Sequence, residues 1–211
     1  MVFDWLHKKN ADYIMRESLY ENDELLQLSN YFNLEINHRV FDKDKYTQLQ
    51  GIFNIKSDKQ QKVDEHIIYI QQLANKYLEM AGLKQNTNHF MIEFWRYRIS
   101  AERRRHIFSI HCDSWTDLGV PVNTCIFYLR KDKTFYGGDL QLNGKYFQFD
   151  NRNSCVISTS PEKIIVFDGD TYHKVLPFSG FGIRDCIVVQ FEKERKKEIQ
   201  LFGTKFCYEW N

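Results

Sequence analysis

Residues 183–191 read I-R-D-C-I-V-V-Q-F, nine residues in which β-branched and aromatic types dominate and no Gly or Pro intervenes. That composition predicts a β-strand. Its second half, I-V-V-Q-F at 187–191, is apolar on both faces instead of alternating, as in a strand covered on both sides. Outward from it, short runs of Ile, Val, Phe and Tyr separated by Gly, Asp, Asn and Ser predict strands near 90–98, 106–112, 122–130, 138–142, 146–150, 154–159, 163–167 and 171–176. About eight short strands at this spacing fit a β-sandwich or jelly roll.

The first eighty or so residues have a different texture. Over 58–81, Val63, Ile67, Ile70, Ala74 and Tyr77 recur at steps of four and three, which predicts an amphipathic helix. Ser57-x-x-Gln60 has the form of a capping box before it, and Gly82 provides a C-terminal stop. Residues 11–32 predict one or two shorter helices, and 51–55 a strand or a turn. Helices first and strands afterwards give an α+β fold in which N-terminal helices buttress one sheet. The chain is expected to be a single domain over 1–211: helical support in 1–85, a jelly-roll core in 88–192 and a C-terminal extension in 193–211.

A net charge of +1 offers no global attraction to nucleic acid or an anionic membrane. No signal peptide or membrane-spanning stretch is visible. Five cysteines (Cys112, Cys125, Cys155, Cys186 and Cys207), with no C-x-x-C spacing, argue against a disulfide framework or a structural zinc site. The expected location is therefore a reducing one, intracellular and cytoplasmic.

Within the run I-F-S-I-H-C-D, residues at i and i+2 share a strand face, so His111 and Asp113 converge while Cys112 points away. Alone, this spacing is a weak signal. His173, in F-D-G-D-T-Y-H-K-V-L-P, supplies a third candidate ligand. Two histidines and one carboxylate with open positions form the facial triad of non-haem Fe(II) oxygenases. Gly137-Gly138 precedes D-L-Q-L and Arg184 follows His173 by eleven residues.

These pieces, with F-W-R-Y at 94–97, C-I-F-Y-L-R-K-D at 125–132 and G-G-D-L-Q-L at 137–142, occur in the order seen in one family. Across roughly residues 90 to 192 the chain resembles the prolyl-4-hydroxylase-like branch of the 2-oxoglutarate- and Fe(II)-dependent dioxygenases. The resemblance implies a double-stranded β-helix, a jelly roll with the metal in its open end. It implies Fe(II) held by His111, Asp113 and His173, 2-oxoglutarate as cosubstrate, and ascorbate as a further candidate cofactor. Arg184 would bind the distal carboxylate of 2-oxoglutarate, a task suited to its planar charged fork. Tyr97 and Tyr128 would touch the same carboxylate, and Leu140 or Leu142 would line the pocket. The activity implied is hydroxylation of an amino-acid side chain, prolyl above all, in a protein or peptide. Asp113 favours hydroxylation or oxidative demethylation, because related halogenases lack that carboxylate so that halide can bind the metal. Two features depart from the family: no glycine follows R-Y in R-I-S-A-E-R-R-R, and the His-to-Arg spacing exceeds the usual nine or ten.

Other readings stand beside these. Tyr97 and Tyr128 are also ordinary core aromatics, and Gly137-Gly138 also suits a hairpin turn. Arg103-Arg104-Arg105 is a solvated loop or a rim for nucleic acid, which would make a nucleic-acid base the substrate. His106, at an odd offset from His111, faces the other way. Lys193 to Lys197 suggests a solvated terminal segment, and Cys112 and Cys186 small buried residues. A small metabolite is a further substrate class, and a non-catalytic jelly-roll binding module a different class altogether.

Overall fold

The computed structural model describes residues 15–21, 23–38, 52–55, 64–99, 110–115, 120–143 and 154–193. Twelve strands and two helices follow in the order β1 (Met15–Leu19), α1 (Glu24–His38), β2 (Ile52–Ile55), α2 (Glu65–Met80), β3 (Gln85–Ile99), β4 (Ser114–Trp115), β5 (Val120–Lys131), β6 (Phe135–Gly137), β7 (Leu140–Leu142), β8 (Cys155–Ile157), β9 (Lys163–Asp168), β10 (His173–Val175), β11 (Phe178–Gly180) and β12 (Gly182–Lys193). The major sheet has the order β1-β9-β5-β12-β3-β2, with β4 on β5. Two small sheets, β10-β7-β8 and β11-β6, complete the double-stranded β-helix. The expected fold class is therefore the observed one.

The two apolar faces of β12 find different partners. Ile187, Val189 and Phe191 join Phe94 of β3 and Phe127 of β5 on the back of the major sheet, against Leu28 and Phe32 of α1 and Ile67, Ile70, Ala74 and Leu78 of α2. On the inner face, Trp95, Tyr97, Ile126, Tyr128, Leu140 and Phe178 form a second core between the sheets. The alternation Phe94-out, Trp95-in along β3 is the period-two signature of a strand with both faces covered. Neither described helix is long and apolar enough to cross a membrane.

The helix expected over 58–81 is α2, which starts at Glu65 after Asp64. The Ser57-x-x-Gln60 box lies outside the described residues. At the other end, Gly82 adopts φ +79° and the Leu83 N–H donates to the Leu78 carbonyl at 3.0 Å, a glycine-dependent stop. The helical expectation for 11–32 is half corrected. Residues 15–19 form a strand because β9 presents an edge whose backbone groups need partners, and β1 supplies five register pairs to it. Helix α1 begins only after that strand. The Glu24 carboxylate accepts from the Glu21 N–H at 2.9 Å and from the Tyr77 hydroxyl at 2.6 Å, which ties the start of α1 to α2.

Three further expectations meet the structure differently. Gly137-Gly138 is not a hairpin turn: β6 pairs with β11 and β7 with β10, so the glycines carry the chain from one small sheet to the other. Both have positive φ, +76° and +74°, and a Cβ on Gly137 would collide with the Pro177 carbonyl. Lys193 is not solvated; only 2% of its side chain is exposed, and its ammonium is held by Asp168 and by Asp170 at 2.8 Å. A buried ammonium needs such partners, and the pairing anchors the end of β12 to the D-G-D turn before His173. Between His173 and Arg184 an additional short strand, β11, occupies the longer spacing. The strand expected at 146–150, most of the one at 106–112, Arg103 to His106, Cys207 and residues 194–197 lie outside the described residues.

Candidate metal centre

Backbone pairing sets the position of the two histidines. The His111 N–H donates to the His173 carbonyl at 3.1 Å, and the His173 N–H returns a bond to the His111 carbonyl at 2.8 Å. This isolated bridge at the edge of β10 brings the two rings to 4.3 Å between centroids. Asp113 follows on the same side, so that ligand atoms of His111, Asp113 and His173 all lie within 4.8 Å of one another. Asp113 Oδ1 is 3.8 Å from His111 Nε2 and 3.5 Å from His173 Nε2. Both separations fit inside the about 4.2 Å spanned by two metal–ligand bonds of ~2.1 Å.

The surroundings orient these donors. His173 Nδ1 is 2.9 Å from the Thr171 carbonyl, an atom that only accepts. Nδ1 therefore carries the proton and Nε2 presents its lone pair, the arrangement found in metal-bound histidines. Burial pushes the His173 imidazole below its ordinary pKa, with His111 acting the same way and Asp113 opposing, so it is neutral at neutral pH. The Thr124 hydroxyl donates to Asp113 Oδ2 at 2.7 Å and leaves Oδ1 facing the histidines. His111 is 40% exposed on its side chain, whereas Asp113 and His173 are below 10%, so the cluster opens on the His111 side.

Gly169 presses the D-G-D turn against this cluster. Its N–H donates to the Val122 carbonyl at 2.8 Å, and a Cβ there would lie 2.8 Å from the Asp113 carbonyl. Gly169→Ala is expected to push Asp113 out of register and weaken metal binding about tenfold or more, the scale of a lost supporting contact. Titration of the folded variant with Mn(II), followed by electron paramagnetic resonance, checks this.

Arg184 sits farther inside, fully buried, with Tyr97 and Tyr128 flanking its guanidinium at 5.4 and 5.1 Å from the ring centroids. Its Nε and Nη1 have no hydrogen-bond partner. Two buried charged donors without an acceptor demand one, and the site lacks it in protein atoms. Arg184, both tyrosines and the three candidate ligands line one cavity of about 100 Å³, well above the ~10–15 Å³ that one water needs. A planar dicarboxylate with one end at Arg184 and the other at a metal fits this donor set, and so does a divalent metal on two imidazoles and a carboxylate. Burial raises both tyrosines above their ordinary pKa, so each remains a neutral O–H donor. Burial pushes the Cys186 thiol up to about 11, which keeps this wall residue protonated.

Of the two leucines expected in the pocket, Leu140 lines the cavity. Leu142 does not; it is fully buried between the sheets, opposite His173 in register. The sequence reading missed Thr124, Thr171, Glu93 and Gln190. The last two were findable, because Glu93 lies four residues before Tyr97 and Gln190 six after Arg184, each on its neighbour's strand face.

No family model matches the chain, and no curated protein matches it by sequence. Solved structures do. A Pseudomonas putida prolyl-4-hydroxylase aligns over 88% of this chain and 94% of its own, at 14% identity and TM-score 0.52. A Trichoplax adhaerens prolyl hydroxylase, solved with a hypoxia inducible factor peptide fragment, aligns over 87% and 84% at 14% identity and TM-score 0.52. HygX from Streptomyces hygroscopicus, solved with nickel and 2-oxoglutarate bound, aligns over 86% and 82% at 9% identity and TM-score 0.53. The chain has the double-stranded β-helix fold that these structures share.

Proposed function

We propose that this protein is an Fe(II)- and 2-oxoglutarate-dependent oxygenase that hydroxylates an amino-acid side chain in a peptide or protein. The observation that carries the proposal is Arg184: a fully buried guanidinium with two unpartnered donors, in the same cavity as His111, Asp113 and His173. A structural arginine would have protein acceptors for those two donors as well.

When bound, iron and 2-oxoglutarate supply the oxygen-activating chemistry, with the cosubstrate decarboxylated to succinate as the substrate is hydroxylated. The protein's own residues bind and orient. His111 Nε2, Asp113 Oδ1 and His173 Nε2 would hold the metal. The Thr171 carbonyl and Thr124 hydroxyl keep two of those ligands in the correct tautomer and rotamer. Arg184 would receive the distal carboxylate, with Tyr97 and Tyr128 flanking it. Val188, Ile126 and Leu140 keep the intervening wall apolar.

The prolyl residue is the first substrate to test, supported by the prolyl hydroxylases of like fold. Purified protein with Fe(II), 2-oxoglutarate and air is expected to release succinate slowly by itself and faster with an accepted peptide, which gains one oxygen atom by mass spectrometry. Absence of both metal binding and succinate from the wild type would refute the reading.

A further inference from the structure

Lys193 closes β12 with a buried side chain, although an ammonium is costly to bury. Two carboxylates account for the burial: Asp168 and Asp170 both accept from Nζ, Asp170 at 2.8 Å. Both belong to the D-G-D turn, and Asp168 Oδ1 also accepts from the Asp170 N–H at 2.9 Å. The ammonium therefore fixes the rotamer of the very side chain that folds the turn. The Thr171 N–H donates to the Asp168 carbonyl at 2.9 Å and completes it. The next carbonyl, that of Thr171, is the one that faces His173 Nδ1 at 2.9 Å. Three hydrogen bonds in series, joined through Asp168 and Thr171, connect the Lys193 ammonium to the His173 imidazole.

The same turn reaches a second candidate ligand. Gly169 donates its N–H to the Val122 carbonyl and comes so close to the Asp113 carbonyl that a Cβ would collide with it. Along β5, Asn123 and Thr124 lie opposite Asp168 and Phe167 in register, and the Thr124 hydroxyl holds Asp113 Oδ2. The turn thus meets Lys193, His173 and Asp113 at once. Without a cation beside them, two carboxylates in one tight turn repel each other, and the Thr171 carbonyl loses its tie to the end of β12. We propose that Lys193 is a positioning residue of the metal centre, whose ammonium sets the D-G-D turn and through it the tautomer and angle of His173 and the seat of Asp113. This rests on the oxygenase reading above and deepens it at the metal centre.

The test uses the full chain and Mn(II), which takes the same nitrogen and oxygen donors, with the Kd read by electron paramagnetic resonance. Lys193→Met, which keeps the apolar stem, is expected to raise that Kd about tenfold, the lower end of the effect of partners that orient metal ligands. Ile70→Ala, in the core behind the major sheet, controls for a general loss of stability. It is expected to lower the melting temperature and leave the Mn(II) Kd unchanged. The Co(II) form gives a second readout, the paramagnetically shifted imidazole N–H signals. His173 is more buried than His111, so the slower-exchanging signal is its own. That proton is expected to exchange with solvent faster in Lys193→Met and at the wild-type rate in Ile70→Ala. Asp170→Asn removes the more exposed partner, where folding tolerates the change, and is expected to raise the Kd about threefold, half of the Lys193→Met effect in free energy. Unchanged Mn(II) affinity in Lys193→Met, or in Asp170→Asn if the former does not fold, overturns the role of Lys193 while the oxygenase reading stands. Equal weakening by Ile70→Ala overturns it too, because Lys193 would then act through stability alone. A wild type that binds no Mn(II) overturns both.

Discussion

Asp113→Ala is expected to leave a folded protein that no longer retains Fe(II) and no longer converts 2-oxoglutarate to succinate. The carboxylate is the one anionic donor of the cluster, 3.5 Å from His173 Nε2 and 3.8 Å from His111 Nε2. Two neutral imidazoles alone leave a divalent cation without protein charge compensation in a site where Asp113 and His173 are both largely buried. Loss of supporting contacts around a metal costs 10- to 100-fold in affinity, so loss of a ligand is expected to exceed about 100-fold. Folding tolerates the change, because the Thr124 hydroxyl that loses its acceptor can turn toward the opened space. Metal content after desalting, together with far-ultraviolet circular dichroism, measures it. Iron retained at wild-type stoichiometry would show that the cluster does not hold the metal.

Arg184→Met is expected to preserve or raise stability and to have a comparable effect on function. In the unliganded protein the guanidinium is buried with Nε and Nη1 unpartnered. Replacing buried ionic groups by apolar ones of similar volume is often neutral or stabilising by about 1–4 kcal/mol. The melting temperature without cosubstrate should therefore hold or rise. Two charge-assisted bonds to a carboxylate, each about 1.5–3 kcal/mol, disappear together. The KM for 2-oxoglutarate should rise by at least about 100-fold, and the stabilisation that 2-oxoglutarate confers on the wild type should vanish. Metal binding should be unchanged, since Arg184 lies away from the ligand cluster. Thermal melts with and without 2-oxoglutarate read the two effects separately; a large fall in unliganded stability would mean that Arg184 is a structural residue.

The sequence by itself determined the elements whose signals are local. The strand at 183–191 and the helix ending at Gly82 follow from composition, periodicity and one glycine. The i, i+2 spacing nominated His111 with Asp113, although His111 makes only an isolated bridge and 112–113 are not a strand, and the order of the remaining motifs nominated His173 and Arg184. What depended on distant partners was not legible there. Residues 15–19 became a strand because β9 offered them an edge. Gly137-Gly138 became a crossing between sheets because the partners of β6 and β7, β11 and β10, come later in the chain. Lys193 looked like a solvated lysine until the D-G-D turn closed over it. Leu140 and Leu142 differ only in which of them the curl of the small sheet turns to the cavity. The tertiary structure alone decided that Arg184 is buried with its Nε and Nη1 unpartnered. Burial and charge balance are properties of the enclosed space, which is bounded by strands far apart in sequence, whereas periodicity records only which face of its own strand a residue occupies.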